Sequence, residues 1–402
     1  MQDKNHDKEE NVSFTDKEFN FSMPTRATFG VGKLDSLGEE AAALGKRALV
    51  VSDKQLSTSE VFIKALASLQ AAGVEGVVFN QVIPNPPDTI VERGVEMYRE
   101  AECDMLVAAG GGSSIDCAKA IGAIIANGGT VKDMLDVESV KNPLPPFIAI
   151  PTTAGTGSEV TIYSVITDSL THEKLILFNH NLLPTVAILD PEITRGLPPE
   201  VTAGTGMDAL THAIEAYTTE VSNPISDAVA CGGIELIGRF IERAYRDGDD
   251  LEARAGMLLG SHMAGIAFSN ADLGSVHTLG ETLGGFYDLP HGITMAVFLP
   301  YIMDYNLDAI PEKYARVAAL LGEDTHGLSQ MEAGRKAVER VKALNRVLKI
   351  PTLAALGVKP ESFAEMAKAC KAHVCDPLNP KPIDEDTYLK LYQLAYEGQS
   401  EN

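Results

Sequence analysis

Short apolar runs alternate with amphipathic stretches along the first half of the chain. Runs rich in Val, Ile, Leu and Ala predict buried strands, and stretches with apolar residues three or four positions apart predict helices. Continuous apolar strands separated by helices indicate a parallel sheet that is covered on both faces. The predicted strands are 47–51, 76–79, 104–109, 146–150 and 186–189, and the clearest helices between them are 59–72 and 91–101.

The pattern changes near residue 197, after which strand signals almost disappear. Helical spacing dominates from there onward, most clearly at 201–217, 227–246, 251–267 and 276–284. The first twenty residues are polar and charged, which is typical of a flexible tail. We therefore predict a tail at 1–20, an α/β domain at 21–197 and an all-α domain at 198–402.

Composition narrows the possible partners. The 402 residues are 45% hydrophobic and 22% charged, which is typical of a globular protein with a sizeable core. With 33 Lys and Arg against 56 Asp and Glu, the net charge is −23. Such a charge disfavours nucleic acid and anionic membranes as partners, although a helix start can still hold a phosphate through its backbone N–H groups.

The chain also carries no targeting signal that we can identify. No apolar stretch is long enough to span a bilayer, and the N-terminal residues have no signal-peptide core. The five cysteines are scattered and form no CxxC pair, so we predict free thiols and a cytoplasmic location. They are Cys103, Cys117, Cys231, Cys370 and Cys375.

A glycine-rich turn follows the strand at 104–109. Gly110, Gly111 and Gly112 let the backbone approach a ligand closely, and a helix follows directly. Free N–H groups at that helix start favour a pyrophosphate. Ser113 and Asp116 have capping-box spacing, which predicts that they cap the helix. The turn lacks the GxGxxG pattern, so a purely structural turn is the alternative.

Two further polar segments follow predicted strands. Residues 151–159 (PTTAGTGSE) place hydroxyl side chains around glycines after the strand at 146–150, where they could donate to a dinucleotide. Asp53 follows the first strand, where a carboxylate can bind the adenosine ribose of NAD and repel the extra phosphate of NADP. A solvated loop aspartate is the alternative interpretation.

Four residues have the spacing of a metal site. Asp208 and His212 lie four apart on a predicted helix and so share one face. His277 and His291 occur later, each beside small residues or glycine. One carboxylate and three imidazoles suit Zn²⁺ or Fe²⁺ with an open coordination position.

Taken together, these motifs resemble the iron-dependent (group III) alcohol dehydrogenase family over residues 21–400. The resemblance rests on Gly110–Lys119, Pro151–Glu159, Gly206–Glu215 and Gly284–Gly292. It implies a Rossmann-like dinucleotide-binding domain and a helical metal domain with the site between them. It also implies hydride transfer between NAD(H) and a small primary alcohol or its aldehyde, with Fe²⁺ (or Zn²⁺) bound, in a homodimer or larger homo-oligomer.

The resemblance assigns roles to individual residues. The implied metal ligands are Asp208, His212, His277 and His291. The implied cofactor contacts are Asp53, Asn85, Gly111, Gly112, Ser113, Thr152, Thr153, Thr161 and Lys174.

Two positions depart from the family pattern. Glu281 stands where relatives often carry a histidine near the nicotinamide, which makes it a candidate catalytic residue. Tyr163 stands where relatives often carry a polar or basic residue. Because of these two departures, the resemblance identifies neither the substrate nor the path by which the alcohol proton leaves. The alternatives are a zinc-dependent enzyme similar to glycerol dehydrogenase, a redox-silent enzyme similar to dehydroquinate synthase, and a non-catalytic scaffold.

Overall fold

A computed structural model describes residues 18–398. Residues 1–17 of the predicted tail therefore lie outside the described residues, and 18–20 are exposed without regular secondary structure. The strands are β1 (Arg26–Phe29), β2 (Arg47–Asp53), β3 (Glu75–Val82), β4 (Met105–Gly110), β5 (Phe147–Pro151), β6 (Tyr163–Thr167), β7 (Lys174–Phe178) and β8 (Val186–Leu189).

Helices flank the sheet and then make up the rest of the chain. Those of the first half are α1 (Leu37–Ala42), α2 (Glu60–Ala71), α3 (Asp88–Glu100) and α4 (Gly112–Asn127). Those of the second half are α5 (Pro199–Thr218), α6 (Pro224–Arg246), α7 (Leu251–Ala271), α8 (Ser275–Tyr287), α9 (His291–Asn306), α10 (Pro311–Leu320), α11 (Gln330–Val347), α12 (Phe363–Cys370) and α13 (Glu385–Glu397).

Six strands form one parallel sheet in the order β1-β8-β5-β4-β2-β3. The central strands β4, β5 and β8 are buried along their whole length, because helices cover both faces of the sheet. This confirms the predicted fold class, a parallel α/β half followed by an all-helical half. All five predicted strands are present.

The chain reverses its direction across the sheet between β2 and β4. From β2 it runs outward to β3, and it then returns to form β4 on the other side of β2. The carboxyl ends of strands beside such a reversal form a crevice in which ligands commonly bind. Asp53 ends β2, and the glycine turn follows β4, so both border this crevice.

Three strands were not predicted. β1 is a short edge strand with mostly exposed residues, so it lacks the apolar run that marks its neighbours. β6 and β7 form an antiparallel hairpin with alternating burial, separate from the main sheet. Alternation of this kind belongs to a sheet with one covered face, whereas the predictions relied on continuous apolar runs.

The helical half has its own apolar core. Helices α5, α6, α7 and α9 pack around residues such as Leu210, Ile237, Met257 and Phe298, all nearly inaccessible to solvent. The sheet half has a separate apolar layer on each face. Among the described residues, no helix is both long and apolar enough to cross a bilayer.

Candidate active site between the two halves

Three helices bring the four predicted metal ligands together. We call these four side chains, Asp208, His212, His277 and His291, the metal group. Asp208 and His212 lie one turn apart on α5, His277 is near the start of α8, and His291 begins α9. One donor atom from each residue lies within 4.8 Å of the other three. Asp208, His212 and His277 are buried, whereas the side chain of His291 is 41% exposed. The group therefore opens to solvent on the His291 side.

The hydrogen bonds of the histidines leave the Nε2 atoms facing the carboxylate. The Nδ1 of His212 lies 3.3 Å from the carbonyl oxygen of Gly155, and the Nδ1 of His277 bonds to Glu215. The Nε2 of His291 lies 3.3 Å from Asp208 Oδ1, and that of His212 lies 3.8 Å from it. Apart from this ion-pair contact of Asp208 with His291, the described residues offer no hydrogen-bond partner to the buried atoms Asp208 Oδ1 and His277 Nε2. Buried polar atoms without partners are costly, so their convergence fits a bound cation.

The protonation states of Asp208 and His212 suit a metal. Burial lowers the pKa of His212 to about 4, so its imidazole is neutral near pH 7. Burial raises the pKa of Asp208, but the surrounding histidines outweigh it and hold that pKa below its usual range. A neutral imidazole and an ionised carboxylate are the forms in which these side chains bind metals. Burial lowers the pKa of His291, but the charge of Asp208 outweighs burial and raises that pKa to about 9, so this imidazole would release its proton when a metal binds.

A stack of rings supports the metal group from one side. Phe268 of α7 stacks on His212, with centroids 4.5 Å apart, and His212 stacks on His277 at 4.8 Å. Tyr163 packs against Phe268 at 5.7 Å. The departure at position 163 therefore contributes a ring that holds Phe268 against a predicted metal ligand.

The predicted phosphate loop lies at the crevice. Gly111 is the N-cap of α4, with extended backbone angles, and no side chain within residues 18–398 caps the helix. The predicted capping box is therefore wrong, because Asp116 instead accepts hydrogen bonds from the hydroxyl of Ser158 and the backbone N–H of Val165. A start without a side-chain cap leaves backbone N–H groups of the first turn available to an anion.

The second polar loop lies directly beside this turn. The N–H of Thr152 donates to the carbonyl of Gly110 at 2.9 Å. A Cβ added at Gly111 would touch Thr153 at 3.4 Å, and one added at Gly112 would lie 2.6 Å from the side chain of Thr156. The structure thus brings the two loops together, and a larger residue at position 112 would force the loops to move.

Lys174 and Asn85 lie together at the opening of the cleft. Lys174 Nζ donates to Asn85 Oδ1 at 2.7 Å, and Asn85 Nδ2 reaches Asp288 Oδ1 of the helical half at 3.2 Å. Thr161 is buried just before β6 and accepts a hydrogen bond from Lys119. These predicted cofactor contacts therefore lie where the two halves meet.

Glu281 lies one turn after His277 on α8. Its carboxylate accepts a hydrogen bond from His373 Nε2 at 2.9 Å. Burial raises its pKa, but the bond from His373 and the charges of nearby histidines outweigh burial and lower the pKa to about 2. A buried, ionised carboxylate therefore lies close to the metal group.

Sequence reasoning missed several residues around the site. Glu215 holds His277 Nδ1 and also accepts from the backbone N–H of Val276 at 2.7 Å. Its spacing of three residues from His212 on one helix was an available signal. Glu159 and His262 form a buried contact of 2.9 Å between the halves, and nothing local in the sequence indicates this pairing.

Comparisons with known proteins agree with this arrangement. Residues 24–191 match the family described as iron-containing alcohol dehydrogenase, and residues 202–396 match the C-terminal part of the Fe-containing alcohol dehydrogenase family. A 1,3-propanediol dehydrogenase of Citrobacter freundii is 42% identical, over 94% of this chain and 99% of that protein. An NAD-dependent methanol dehydrogenase of Bacillus methanolicus is 41% identical, over 90% of this chain and 96% of that protein.

A solved structure supports the same conclusion. A 1,3-propanediol oxidoreductase superposes with a TM-score of 0.92 and 41% identity, covering 94% of this chain and 100% of that one. Its similarity extends over both the sheet half and the helical half. The chain belongs to the iron-containing alcohol dehydrogenase family and is an oxidoreductase that interconverts alcohols and aldehydes.

Proposed function

We propose that the enzyme interconverts a small primary alcohol and its aldehyde, with Fe²⁺ held by Asp208, His212, His277 and His291. The observation that carries this proposal is the convergence of the four donor atoms within 4.8 Å. The set includes two buried polar atoms for which the described part of the chain supplies no hydrogen-bond partner. Imidazole and carboxylate suit Fe²⁺ and Zn²⁺ alike, and membership of an iron-containing family favours iron.

The cofactor would lie along the sheet edge. We assign the pyrophosphate to the start of α4 at Gly111, Gly112 and Ser113, where backbone N–H groups and the helix dipole favour an anion. Asp53 would bind the adenosine ribose at the end of β2. The other proposed contacts are Thr152, Thr153, Thr161, Asn85 and Lys174.

The two bound groups supply the redox chemistry. When bound, the metal would supply Lewis acidity toward the alcohol oxygen, and NAD⁺ would supply the acceptor for the hydride that leaves the carbinol carbon, while the hydroxyl proton leaves through the protein. The protein's part is to orient the groups that hold the reactants. Glu215 fixes the imidazole of His277, and the carbonyl of Gly155 fixes that of His212. Glu281 is the candidate for moving the alcohol proton, because it is ionised and paired with His373.

The domain division at 197/198 is part of this proposal. The sheet half would bind the dinucleotide and the helical half would bind the metal. Family membership favours the alcohol dehydrogenase over the zinc-dependent and redox-silent alternatives. Assembly into a homodimer or larger homo-oligomer and a cytoplasmic location stay predictions.

One experiment tests the proposal. Protein purified without oxygen is stripped of metal, reloaded with Fe²⁺ or Zn²⁺, and assayed for NAD⁺ reduction with short primary alcohols, diols and glycerol. We expect one bound ion per chain, and activity that disappears on stripping and returns best with Fe²⁺. Undiminished activity without metal, or better activity with Zn²⁺ on glycerol, would contradict it.

A further inference from the structure

A lysine is completely buried behind the cofactor crevice. Lys119 lies two turns into α4 and is 0% exposed. Its Nζ donates to three oxygens: the carbonyl of Thr161 at 2.7 Å, the hydroxyl of Thr161 at 3.1 Å and the carbonyl of Tyr163 at 2.7 Å. A buried ammonium is costly unless it is fully bonded, and this one has an oxygen for each of its three hydrogens.

Asp116, three residues earlier on the same helix, binds the same stretch of chain. Its carboxylate accepts from Ser158 Oγ at 2.5 Å and from the N–H of Val165 at 3.1 Å, while its backbone carbonyl accepts from Ser164 Oγ at 2.8 Å. Burial lowers the pKa of Lys119 to about 8, and the charge of Asp116 opposes that decrease. The two residues thus attach the body of α4 to residues 158–165, which we call the junction segment.

The junction segment in turn contacts the helical half. Glu159 lies 2.9 Å from His262, and the N–H of Ile162 donates to Ser269 Oγ at 3.3 Å. The ring of Tyr163 packs on Phe268, which stacks on His212. Gly157, just before the segment, has a φ of +61°, and a Cβ there would lie 2.7 Å from the Cα of Gly265, so the backbones meet without room for a side chain.

One rigid helix therefore connects two places. Its first turn is the proposed pyrophosphate site, and Lys119 lies about 10 Å further along the axis, where it holds the segment that reaches the metal group. If a dinucleotide binds at the helix start, the position of its nicotinamide end depends on the groups that hold Thr161 and Tyr163 in place.

We propose that Lys119 is a positioning residue that sets the nicotinamide end of NAD relative to the metal group by holding Thr161 and Tyr163. This inference rests on the proposed function, because it presupposes that NAD lies along α4. Lys119 itself touches neither the reacting atoms nor the pyrophosphate.

The test compares the binding of ADP-ribose, which reports on one end of the cofactor, with the binding of NADH, which reports on both ends. Lys119→Met keeps most of the length of the side chain and removes all three hydrogen bonds. We expect its Kd for ADP-ribose, which lacks the nicotinamide, to stay within about twofold of wild type, while its Kd for NADH rises about tenfold. We expect kcat to fall about 10–100-fold, because small misplacements of reactants are costly, while metal content stays unchanged.

A second variant covers the case in which the single variant is unstable. Removing Lys119 leaves the charge of Asp116 uncompensated in the interior, which is strongly destabilising. The double variant Lys119→Met/Asp116→Asn restores the charge balance without restoring the bonds to Thr161 and Tyr163. It should fold, and it should show the same divergence between ADP-ribose and NADH.

Lys64→Met is the matched control, because Lys64 is a half-exposed lysine of the same half, paired with the exposed Asp35. Its two dissociation constants and its kcat should equal those of wild type.

The possible outcomes separate this inference from the proposed function. If the wild type shows no NAD-linked alcohol oxidation, the proposed function fails. If the wild type is active but the variants weaken ADP-ribose and NADH equally, or weaken neither, Lys119 does not position the nicotinamide. Failure of both the single and the double variant to fold would assign Lys119 to stability and would also overturn the inference.

Discussion

The carboxylate of Glu281 and the Nε2 of His373 lie 2.9 Å apart, although 92 residues separate them in the chain. His373 follows α12 and Glu281 belongs to α8, so the pair joins two helices beside the metal group. Both side chains are mostly buried, at 15% and 20% exposure. A carboxylate next to the proposed metal ligands thus has an imidazole directly behind it, through which a proton could leave.

Glu281→Gln tests this route. A proton relay predicts that kcat for alcohol oxidation falls about 100-fold, the low end for general acid–base residues, and that the acidic limb of the pH–rate profile disappears. His373 donates a hydrogen bond to Glu281, so His373→Gln should alter the same limb. A purely electrostatic role predicts weaker binding of NAD⁺ relative to NADH with the shape of the profile kept. If neither the profile nor the NAD⁺/NADH affinity ratio changes, Glu281 is structural.

The same pair has a consequence for stability. The pKa of Glu281 in the folded protein, about 2, is below its ordinary value, so its ionisation stabilises the fold above about pH 4.5. That contribution is lost progressively as pH falls from about 4.5 toward 2. The melting temperature of Glu281→Gln should therefore differ from that of wild type less below pH 3 than at pH 6, as measured by thermal melts across this range.

Alanine variants test the metal ligands. His277→Ala and His291→Ala should each lose the bound ion and at least about 99.9% of turnover, while ADP-ribose binding stays close to wild type. Elemental analysis and calorimetry measure the two properties. His326→Ala, which changes an exposed histidine far from the group in sequence, should keep its metal. Wild-type metal content in either ligand variant would contradict the assignment of that residue.

Asp53 should determine the choice of cofactor. Its carboxylate ends β2 and accepts the N–H of Leu56 at 2.8 Å, which holds it at the crevice. We expect kcat/KM to favour NAD⁺ over NADP⁺ at least about tenfold, because a carboxylate there repels the additional phosphate. Asp53→Gly should reduce this preference, whereas Asp35→Asn, at a surface ion pair with Lys64, should not. Equal values for the two cofactors in the wild type would contradict the assignment.

Asp272 carries backbone strain at the end of α7. Its angles, φ 56° and ψ −166°, lie in a region that is nearly confined to glycine and costs about 1–3 kcal/mol for other residues. Burial raises the pKa of its carboxyl group, which adds a further cost. Asp272→Gly should therefore raise the free energy of unfolding by an amount on the order of 1 kcal/mol, and the melting temperature should rise with it.

Asp272→Ala is the matched control for this prediction. Alanine keeps the strained backbone and loses the hydrogen bond that Asp272 accepts from the N–H of Leu273 at 2.9 Å, so it should lower the melting temperature. Shifts of the same sign for glycine and alanine would show that backbone strain at position 272 is not what limits stability.

The sheet could be predicted from sequence where burial is uniform. The strands β2, β4, β5 and β8 have continuous apolar runs because both of their faces are covered. The edge strand β1 has no such cover, and the hairpin β6–β7 alternates, so neither gave that signal. The capping box predicted at Ser113 and Asp116 was wrong because Asp116 bonds to Ser158, a distant residue that the capping-box spacing cannot indicate.

The site residues also differ in how far the sequence could predict their proximity. Asp208 and His212 share a helix face, so their proximity follows from helix geometry alone. The positions of His277 and His291 depend on how α8 and α9 pack against α5, and the family resemblance supplied them. Partners that are brought together only by tertiary packing, such as Glu281 with His373 and Glu159 with His262, left no local pattern to detect.

The metal group takes its donors from α5, α8 and α9, so a bound ion acts as a cross-link among three separate segments. Binding to the native state alone adds about 2.7 kcal/mol of stability when the free ion is at 100 times its Kd. The link between α8 and α9 contains only Asp288, Leu289 and Pro290, and the ligand His291 follows it directly. Loss of the ion would release this link from α5, so a chain that has lost its metal should become a better substrate for proteases at that point.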